Sequence, residues 1–282
     1  MRIAVESGIV GHLPLDEALG VIARAGYHYV ELSHPQFRAH AAAPGQVAGL
    51  RCTLDALGLQ LVALLDLLGS AQPETATRTQ AADHWKRAVE VAAQLGCPLL
   101  TSELGGQKVP PDAARSAFAA SVDDLRPTLQ AAGVTLAFEC HPGDFIESSN
   151  EAVGFLRGLG CPHVRYLFCA PHTFIIGSDV AGMVQHAGDL LAHVHIADTH
   201  RPERILATRP PLPHEHLVPG WGEVDFPELV RSLQAIGYTG SLSACVFSHQ
   251  DTPVAALVHT RRCMEDWLQG RFAPPRRLKG DG

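Results

Sequence analysis

One pattern of hydrophobic and polar positions recurs along this chain of 282 residues. A stretch with helical spacing of apolar residues ends in glycine, two or three residues follow, and a short apolar or β-branched run begins. The segments are ARAGYHYVELS, DALGLQLVALLDL, AAQLGCPLLTSE, QAAGVTLAFEC, RGLGCPHVRYLFC and QAIGYTGSLSACVF. Glycine at a helix C-terminus adopts the left-handed conformation without steric cost, so each segment marks a helix-to-strand loop. Repeated alternation with short links predicts parallel strands joined by right-handed crossovers.

The pattern predicts strands over 2–6, 28–33, 60–66, 98–103, 134–139, 164–169, 191–196 and 241–246. It predicts helices over 15–25, 45–57, 79–95, 112–132, 150–159, 180–187, 226–236 and 253–269. Strict alternation of strand and helix favours an α/β fold with a single (β/α)8 TIM barrel, which typically needs about 250 residues. No GxGxxG follows the first strand, so a dinucleotide-binding open sheet has no support. We expect the barrel over 1–272 and a flexible, Pro- and charge-rich tail over 273–282.

Charge and composition exclude several classes of protein. The formal net charge of −7 and the absence of a basic stripe argue against a nucleic-acid partner. No apolar run approaches the roughly 20 residues of a membrane span, and the N-terminus lacks a signal-peptide core, so we expect a cytoplasmic protein without a membrane partner. The seven cysteines contain no CxxC pair, which is typical of reduced thiols.

Four of the predicted strands end in a residue that can bind a metal ion. These residues are Glu139, Cys169, His195 and Cys245. Strand ends of a parallel barrel meet at one mouth, where such barrels place their active sites, so the four residues predict a common metal centre. Each one alone has an ordinary alternative, since a strand-end glutamate can serve an ion pair and a strand cysteine is most often part of the core.

Five motifs are similar to those of a known family. They are AFECH at 137–141, CAPH at 169–172, HVHIADTHR at 193–201, PGWGEVDF at 219–226 and GYTGSLSACVF at 237–247. On these motifs the chain resembles the xylose isomerase-like TIM-barrel superfamily, in particular its group of ketose 3-epimerases, hydroxypyruvate isomerase and inosose dehydratase. The resemblance implies a divalent ion held by Glu, Asp, His and Glu from strands five to eight.

The implied ligand set is changed at two of its four positions. Glu139 and His195 match, whereas Cys169 and Cys245 stand where the Asp and the second Glu are expected. Two thiolates favour zinc over Mn, Co or Mg, which remain open. A decayed site that no longer binds metal is the alternative.

Further residues are candidates for catalysis or substrate binding. His141 follows Glu139 by two and shares its side of the strand, and Glu103 ends the fourth strand. The resemblance makes His172 a substrate-contacting histidine and Arg201 a substrate-binding arginine. His214 and His216 resemble a segment that supplies zinc ligands in the related AP endonuclease IV family. These histidines could instead belong to a solvated loop. Trp221 could close over a sugar or pack its loop.

The preferred hypothesis is a metal-dependent isomerase or epimerase that acts on a sugar or polyol acid through an enediolate. Glu139, His141 and His172 are the candidates for the catalytic base. A lyase on the same scaffold, either a dehydratase or a decarboxylase, is an alternative, as is a non-catalytic relative. An endonuclease is disfavoured by the negative charge and the missing carboxylates. The family habit predicts a homo-oligomer with a small-molecule substrate.

Overall fold

The computed structural model describes residues 1–41, 45–67, 71–201 and 215–272. Its centre is a closed barrel of eight parallel strands in sequence order, in which the eighth strand pairs with the first. The strands are β1 (Arg2–Glu6), β2 (Tyr29–Ser33), β3 (Gln60–Leu65), β4 (Leu99–Glu103), β5 (Thr135–Glu139), β6 (Val164–Cys169), β7 (Leu191–Ile196) and β8 (Ser241–Ala244). The predicted (β/α)8 TIM barrel is therefore confirmed. The predicted tail over 273–282 lies outside the described residues.

Ten α-helices occur in the described ranges. They are α1 (Leu15–Arg24), α2 (His34–Ala41), α3 (Gln46–Leu57), α4 (Thr75–Leu95), α5 (Pro111–Ala132), α6 (Ser149–Gly158), α7 (Ala170–Ile175), α8 (Val180–Ala187), α9 (Phe226–Ala235) and α10 (Pro253–Leu268). Short 3₁₀ helices cover Ser7–Val10, Gly188–Leu190 and Phe247–His249. Within these ranges, no helix combines the length and the apolar character needed to cross a bilayer.

The helix ends follow the predicted glycines. Gly96 and Gly133 lie at the ends of α4 and α5 with φ of 70° and 65°, in the left-handed region that a side chain disfavours. Helix α4 starts four residues before its predicted start at Thr79, because the Glu74 side chain accepts the backbone N–H of Thr77 and caps an earlier turn. The sequence pattern did not predict α2 and α7, which are short and follow β2 and β6 directly.

The main core lies between the barrel and its helices. Phe138 of β5 faces outward into it, 4.8 Å from the ring centroid of Phe118 on α5 and 5.6 Å from that of Trp85 on α4. All three side chains are almost completely buried. This aromatic cluster fixes α4 and α5 against the strand that ends in Glu139.

The barrel interior is divided into an apolar and a polar part. The apolar part contains Ala63, Leu99, Ala137 and Leu167, from β3 to β6. The polar part contains Glu31, Thr101, His193 and Ser243, which are all buried. Because side chains two apart on a strand face the same side, the next inward residues after Ala137, Leu167 and His193 are Glu139, Cys169 and His195 at the mouth.

Replacing Phe118 by alanine tests the aromatic cluster. The substitution should lower the free energy of unfolding by about 3–5 kcal/mol, because it leaves a large cavity against Phe138. Chemical denaturation of Phe118→Ala and of the exposed control Val254→Ala measures the difference. A loss for Phe118→Ala as small as that of the control would contradict this packing.

Candidate metal centre and active site

A cavity of about 400 Å³ opens at the C-terminal mouth of the barrel. Its walls come from the ends of the strands and the loops that follow them. The lining residues are Gly8, Ser33, His34, Leu65, Leu67, Glu103, Glu139, His141, His172, His195, His216, Phe247 and Gln250. The predicted residues Glu103, Glu139, His141, His172, His195 and His216 thus share one cavity, which is polar on the side of β4 to β7.

His195 lies at the end of β7 between two carboxylates. Its Nε2 is 3.1 Å from Oε2 of Glu31, inside the barrel, and its Nδ1 is 3.9 Å from Oε2 of Glu139, at the mouth. Burial disfavours the charged imidazolium, but Glu31 and Cys169 raise the pKa of His195 well above its usual range. Nε2 of His195 therefore contacts Glu31 inside the barrel, and Nδ1 faces the mouth.

The two cysteines predicted as ligands lie beside His195. The Sγ atoms of Cys169 and Cys245 and a ring nitrogen of His195 are all within 4.8 Å of one another. Burial raises the pKa of both thiols. Zinc binds sulfur at about 2.3 Å and nitrogen at about 2.0 Å, so ligand atoms with these separations fit around one tetrahedral ion.

Glu139 completes this group through its contacts with histidines. Its Oε2 is 3.1 Å from Nδ1 of His172 and 3.9 Å from Nδ1 of His195. Burial would raise the carboxyl pKa, but His172, His195 and His141 hold the pKa of Glu139 at about 2. Glu139 is therefore an anion at neutral pH that faces both the predicted ligands and the cavity.

A chain of hydrogen bonds joins Glu139 to the loop before α9. Nε2 of His172 lies 3.3 Å from Nε2 of His216, whose Nδ1 lies 2.8 Å from the carbonyl oxygen of Cys245. Burial disfavours a charged His172, but Cys169 and Glu139 raise its pKa to about 10. The Sγ atom of Cys169 and ring nitrogens of His172 and His216 also lie within 4.8 Å of one another. Cys169 therefore belongs to two groups of candidate ligands.

A second set of acids stands on the rim near His141. Ligand atoms of Glu103, His141 and Asp144 lie within 4.8 Å of one another. Burial and the neighbouring Glu139 raise the pKa of Glu103 to about 7, and burial raises the pKa of Asp144 to about 8. Nδ1 of His141 is 2.8 Å from the carbonyl oxygen of Pro142, so it carries a proton and Nε2 holds the ring's lone pair.

Three other predicted substrate contacts lie away from this cavity or outside the described residues. The guanidinium of Arg201 lies 5.8 Å from the ring centroid of Phe174 and pairs with Glu223 at 3.6 Å. Trp221 packs edge-on against His249 with ring centroids 5.0 Å apart. His214 lies outside the described residues. The roles of these three residues in substrate binding stay predictions.

Comparison with known proteins decides the family. A model described as the xylose isomerase-like TIM barrel matches residues 19–267, which is most of the chain. The chain belongs to this family.

Proteins similar to this chain include an epimerase and a dehydratase, as their names state. L-ribulose 3-epimerase from Mesorhizobium japonicum is 25% identical over 253 residues, covering 84% of this chain and 76% of that protein. Inosose dehydratase from Bacillus velezensis is 27% identical over 130 residues, covering 44% of this chain and 43% of that protein. The crystal structure of an IOLI protein with a bound zinc atom has a TM-score of 0.81 at 16% identity, covering 97% of this chain and 100% of that one. That last likeness concerns the fold.

Sequence reasoning missed the polar residues beneath the four candidate metal ligands. Glu31, which contacts Nε2 of His195, lies between Val30 and Leu32 in the strand YVELS. A charged residue at the middle of a strand with apolar neighbours signals a buried group that requires partners. The partner itself could not be read from the sequence, because His193 and His195 are 162 and 164 residues away.

Removal of the two thiols tests the proposed soft ligand set. Purified protein should bind about one zinc ion per chain, and the double variant Cys169→Ser/Cys245→Ser should lose it, since serine is a poor zinc ligand. Elemental analysis after dialysis measures the stoichiometry. A matched control, Cys97→Ser/Cys161→Ser, removes two other buried thiols and should retain the zinc. Equal zinc in both double variants would show that the thiols do not bind the ion.

Proposed function

We propose that this protein is a metal-dependent isomerase or epimerase that acts on a sugar or polyol acid through an enediolate. The observation that carries the proposal is the grouping of ligand atoms of Cys169, His195 and Cys245 within 4.8 Å of one another, with Glu139 3.9 Å from Nδ1 of His195. Glu139 and His195 also line the open, histidine-lined cavity. The sugar epimerases among the relatives support the same class of reaction.

The proposed ligands of one divalent ion are Glu139, Cys169, His195 and Cys245. A pair of cysteines, a histidine and a carboxylate favour zinc, with Mn, Co or Mg as the other candidates. A bound ion of this kind polarises a carbonyl and an adjacent hydroxyl and lowers the cost of removing the α-proton. The IOLI structure with zinc supports a divalent metal on this fold.

Proton transfer is assigned to side chains at the end of β5, which form one wall of the cavity. Glu139 and His141 are two residues apart, and both line the cavity. The lone pair of His141 is on Nε2, because Nδ1 donates to Pro142, so His141 is built to accept a proton from a substrate carbon. Delivery of that proton to the neighbouring carbon gives an isomer, whereas an epimer requires a proton delivered to the same carbon by a group on the opposite face.

His172 is assigned the role of a donor. A carboxylate is an acceptor only, so Nδ1 of His172 carries the proton of its bond to Glu139. His172 thereby orients Glu139 and can stabilise negative charge on a substrate oxygen. Glu103 and His216 line the same cavity and are proposed to bind hydroxyl groups, together with Arg201, His214 and Trp221.

A dehydratase is the second candidate, and the match to inosose dehydratase favours it. The first step is the same, because loss of a β-hydroxide from the enediolate follows the same proton abstraction. The two candidates differ in whether a group in the cavity protonates the leaving hydroxyl. We keep the expectations of a cytoplasmic homo-oligomer with neither nucleic-acid nor membrane partners as further predictions.

Proton exchange into substrate tests the proposal even when the final product is unidentified. The zinc-loaded protein, incubated in D2O with a panel of ketoses and keto acids, should incorporate deuterium next to the carbonyl of at least one compound. His195→Ala should lose both zinc and exchange. His141→Gln should keep zinc and lower the exchange rate about 10²–10⁴-fold, the usual contribution of a general base. Mass spectrometry and proton NMR measure the incorporation.

Two results would contradict the assignment. Full exchange by His195→Ala would mean that the centre lies elsewhere. Unchanged exchange by His141→Gln would remove His141 from the reaction. The exposed His28→Gln serves as the control for loss of a histidine, and it should match the unmodified protein.

A further inference from the structure

The carboxylate of Glu31 is buried inside the barrel, beneath the mouth cavity. Its exposed fraction is 0%, and residues from three other strands reach it across the interior. Oε2 lies 2.9 Å from Nε2 of His193, 3.1 Å from Nε2 of His195 and 2.7 Å from the hydroxyl of Ser243. Oε1 accepts the hydroxyl of Thr101 at 2.5 Å. Four polar groups thus converge on one buried side chain.

These contacts determine where the imidazole protons are. Both carboxylate oxygens of Glu31 already accept a hydroxyl group, Oε1 that of Thr101 and Oε2 that of Ser243. A carboxylate has no proton to donate, so each neighbour must donate to it. His193 and His195 therefore both carry a proton on Nε2. Nε2 of His195 is then engaged by Glu31, and Nδ1 is the ring nitrogen on the side of Glu139 and the mouth.

We propose that Glu31 is a positioning residue, which fixes the ring of His195 so that Nδ1 points at Cys169, Cys245 and Glu139 and can bind the metal ion. This inference rests on the proposed function, since it assigns a role to the support of the same site. Metal-binding histidines commonly donate their other ring N–H to a carboxylate, which sets the ring orientation and raises the basicity of the ligand. Thr101 and Ser243 hold the Glu31 carboxylate in place from β4 and β8.

A different interpretation would place an ion between Glu31, His193 and His195, whose ligand atoms also lie within 4.8 Å of one another. The hydroxyls of Thr101 and Ser243 argue against it, because they already donate to the carboxylate. The exposed fractions of the three residues are 0%, 1% and 3%, so an ion there would be enclosed in the barrel. Nδ1 of His195, in contrast, faces a cavity that is open to solvent.

Two variants separate the effect of the Glu31 charge from the effect of its hydrogen-bond acceptor. Glu31→Gln keeps the shape and one accepting oxygen but removes the charge. Glu31→Ala removes the acceptor as well. We expect the zinc affinity, measured by competition with a chromophoric chelator, to fall about 10–100-fold in Glu31→Gln and further in Glu31→Ala.

A measurement on zinc-free protein tests the orientation independently of the metal. Long-range proton–nitrogen NMR should show a slowly exchanging Nε2–H on His195 in the unmodified protein. The signal should persist in Glu31→Gln and disappear in Glu31→Ala. In the zinc-loaded protein the same spectrum should show the ion on Nδ1, with the proton still on Nε2.

The controls distinguish positioning from a general loss of stability. Ser243→Ala removes one of the two hydroxyls that hold the Glu31 carboxylate but leaves the Glu31–His195 contact, so the zinc affinity should fall less than in Glu31→Ala. Asp66→Asn removes another buried carboxylate that holds a histidine, His84, and should lower stability without changing zinc affinity.

The outcomes separate the two claims. Equal zinc affinity in the unmodified protein, Glu31→Gln and Glu31→Ala would overturn the inference and leave the proposed function standing. A loss of zinc affinity in Asp66→Asn as large as that in the Glu31 variants would also overturn the inference. If the unmodified protein binds no zinc, the proposed function fails, and the His195 proton signal alone decides whether Glu31 orients the ring. Zinc found on Nε2 of His195 would place the ion against Glu31 and contradict the inference.

Discussion

The buried charge of Glu31 is the constraint on which the arrangement of the barrel interior depends. An isolated carboxylate in a protein core costs far more than a domain's net stability, so it must be compensated where it lies. The compensation comes from His193 and His195 on β7, Thr101 on β4 and Ser243 on β8. The barrel interior around Glu31 is polar for this reason, whereas Ala63, Leu99, Ala137 and Leu167 form a small apolar cluster in the interior.

Because alternate residues of a strand face the barrel interior, the residues that contact Glu31 are followed by inward-facing residues at the mouth. The inward residue that follows His193 is His195, and the ladder places Cys169 opposite His195 on the neighbouring strand. At the mouth, His195 therefore has its Nε2 engaged by Glu31 and lies beside two buried thiols, those of Cys169 and Cys245. Burial raises the pKa of both thiols, so a metal ion that binds there has to displace their protons. The proposed ligand set would select a soft divalent ion over a hard one.

The position of the four candidate ligands at the barrel mouth could be predicted from the sequence, because each is the last inward residue of a strand or directly follows one, and parallel strands of a barrel end at one mouth. The glycine-terminated helices made the strand positions readable to within two residues. The network beneath the site could not be predicted. Strand alternation tells which side Glu31 faces but not which residue it meets across the barrel. The pairing of Glu139 with His172 depends on the short helix α7, which is too brief for a periodic signal.

The proposed chemistry depends on one ion held at the barrel mouth by two sulfur ligands. X-ray absorption at the zinc edge of the zinc-loaded protein tests that claim most directly, because it reports ligand type and distance without substrate. We expect two sulfur atoms at about 2.3 Å and two lighter ligands at about 2.0–2.1 Å. A shell of nitrogen and oxygen alone would contradict the claim.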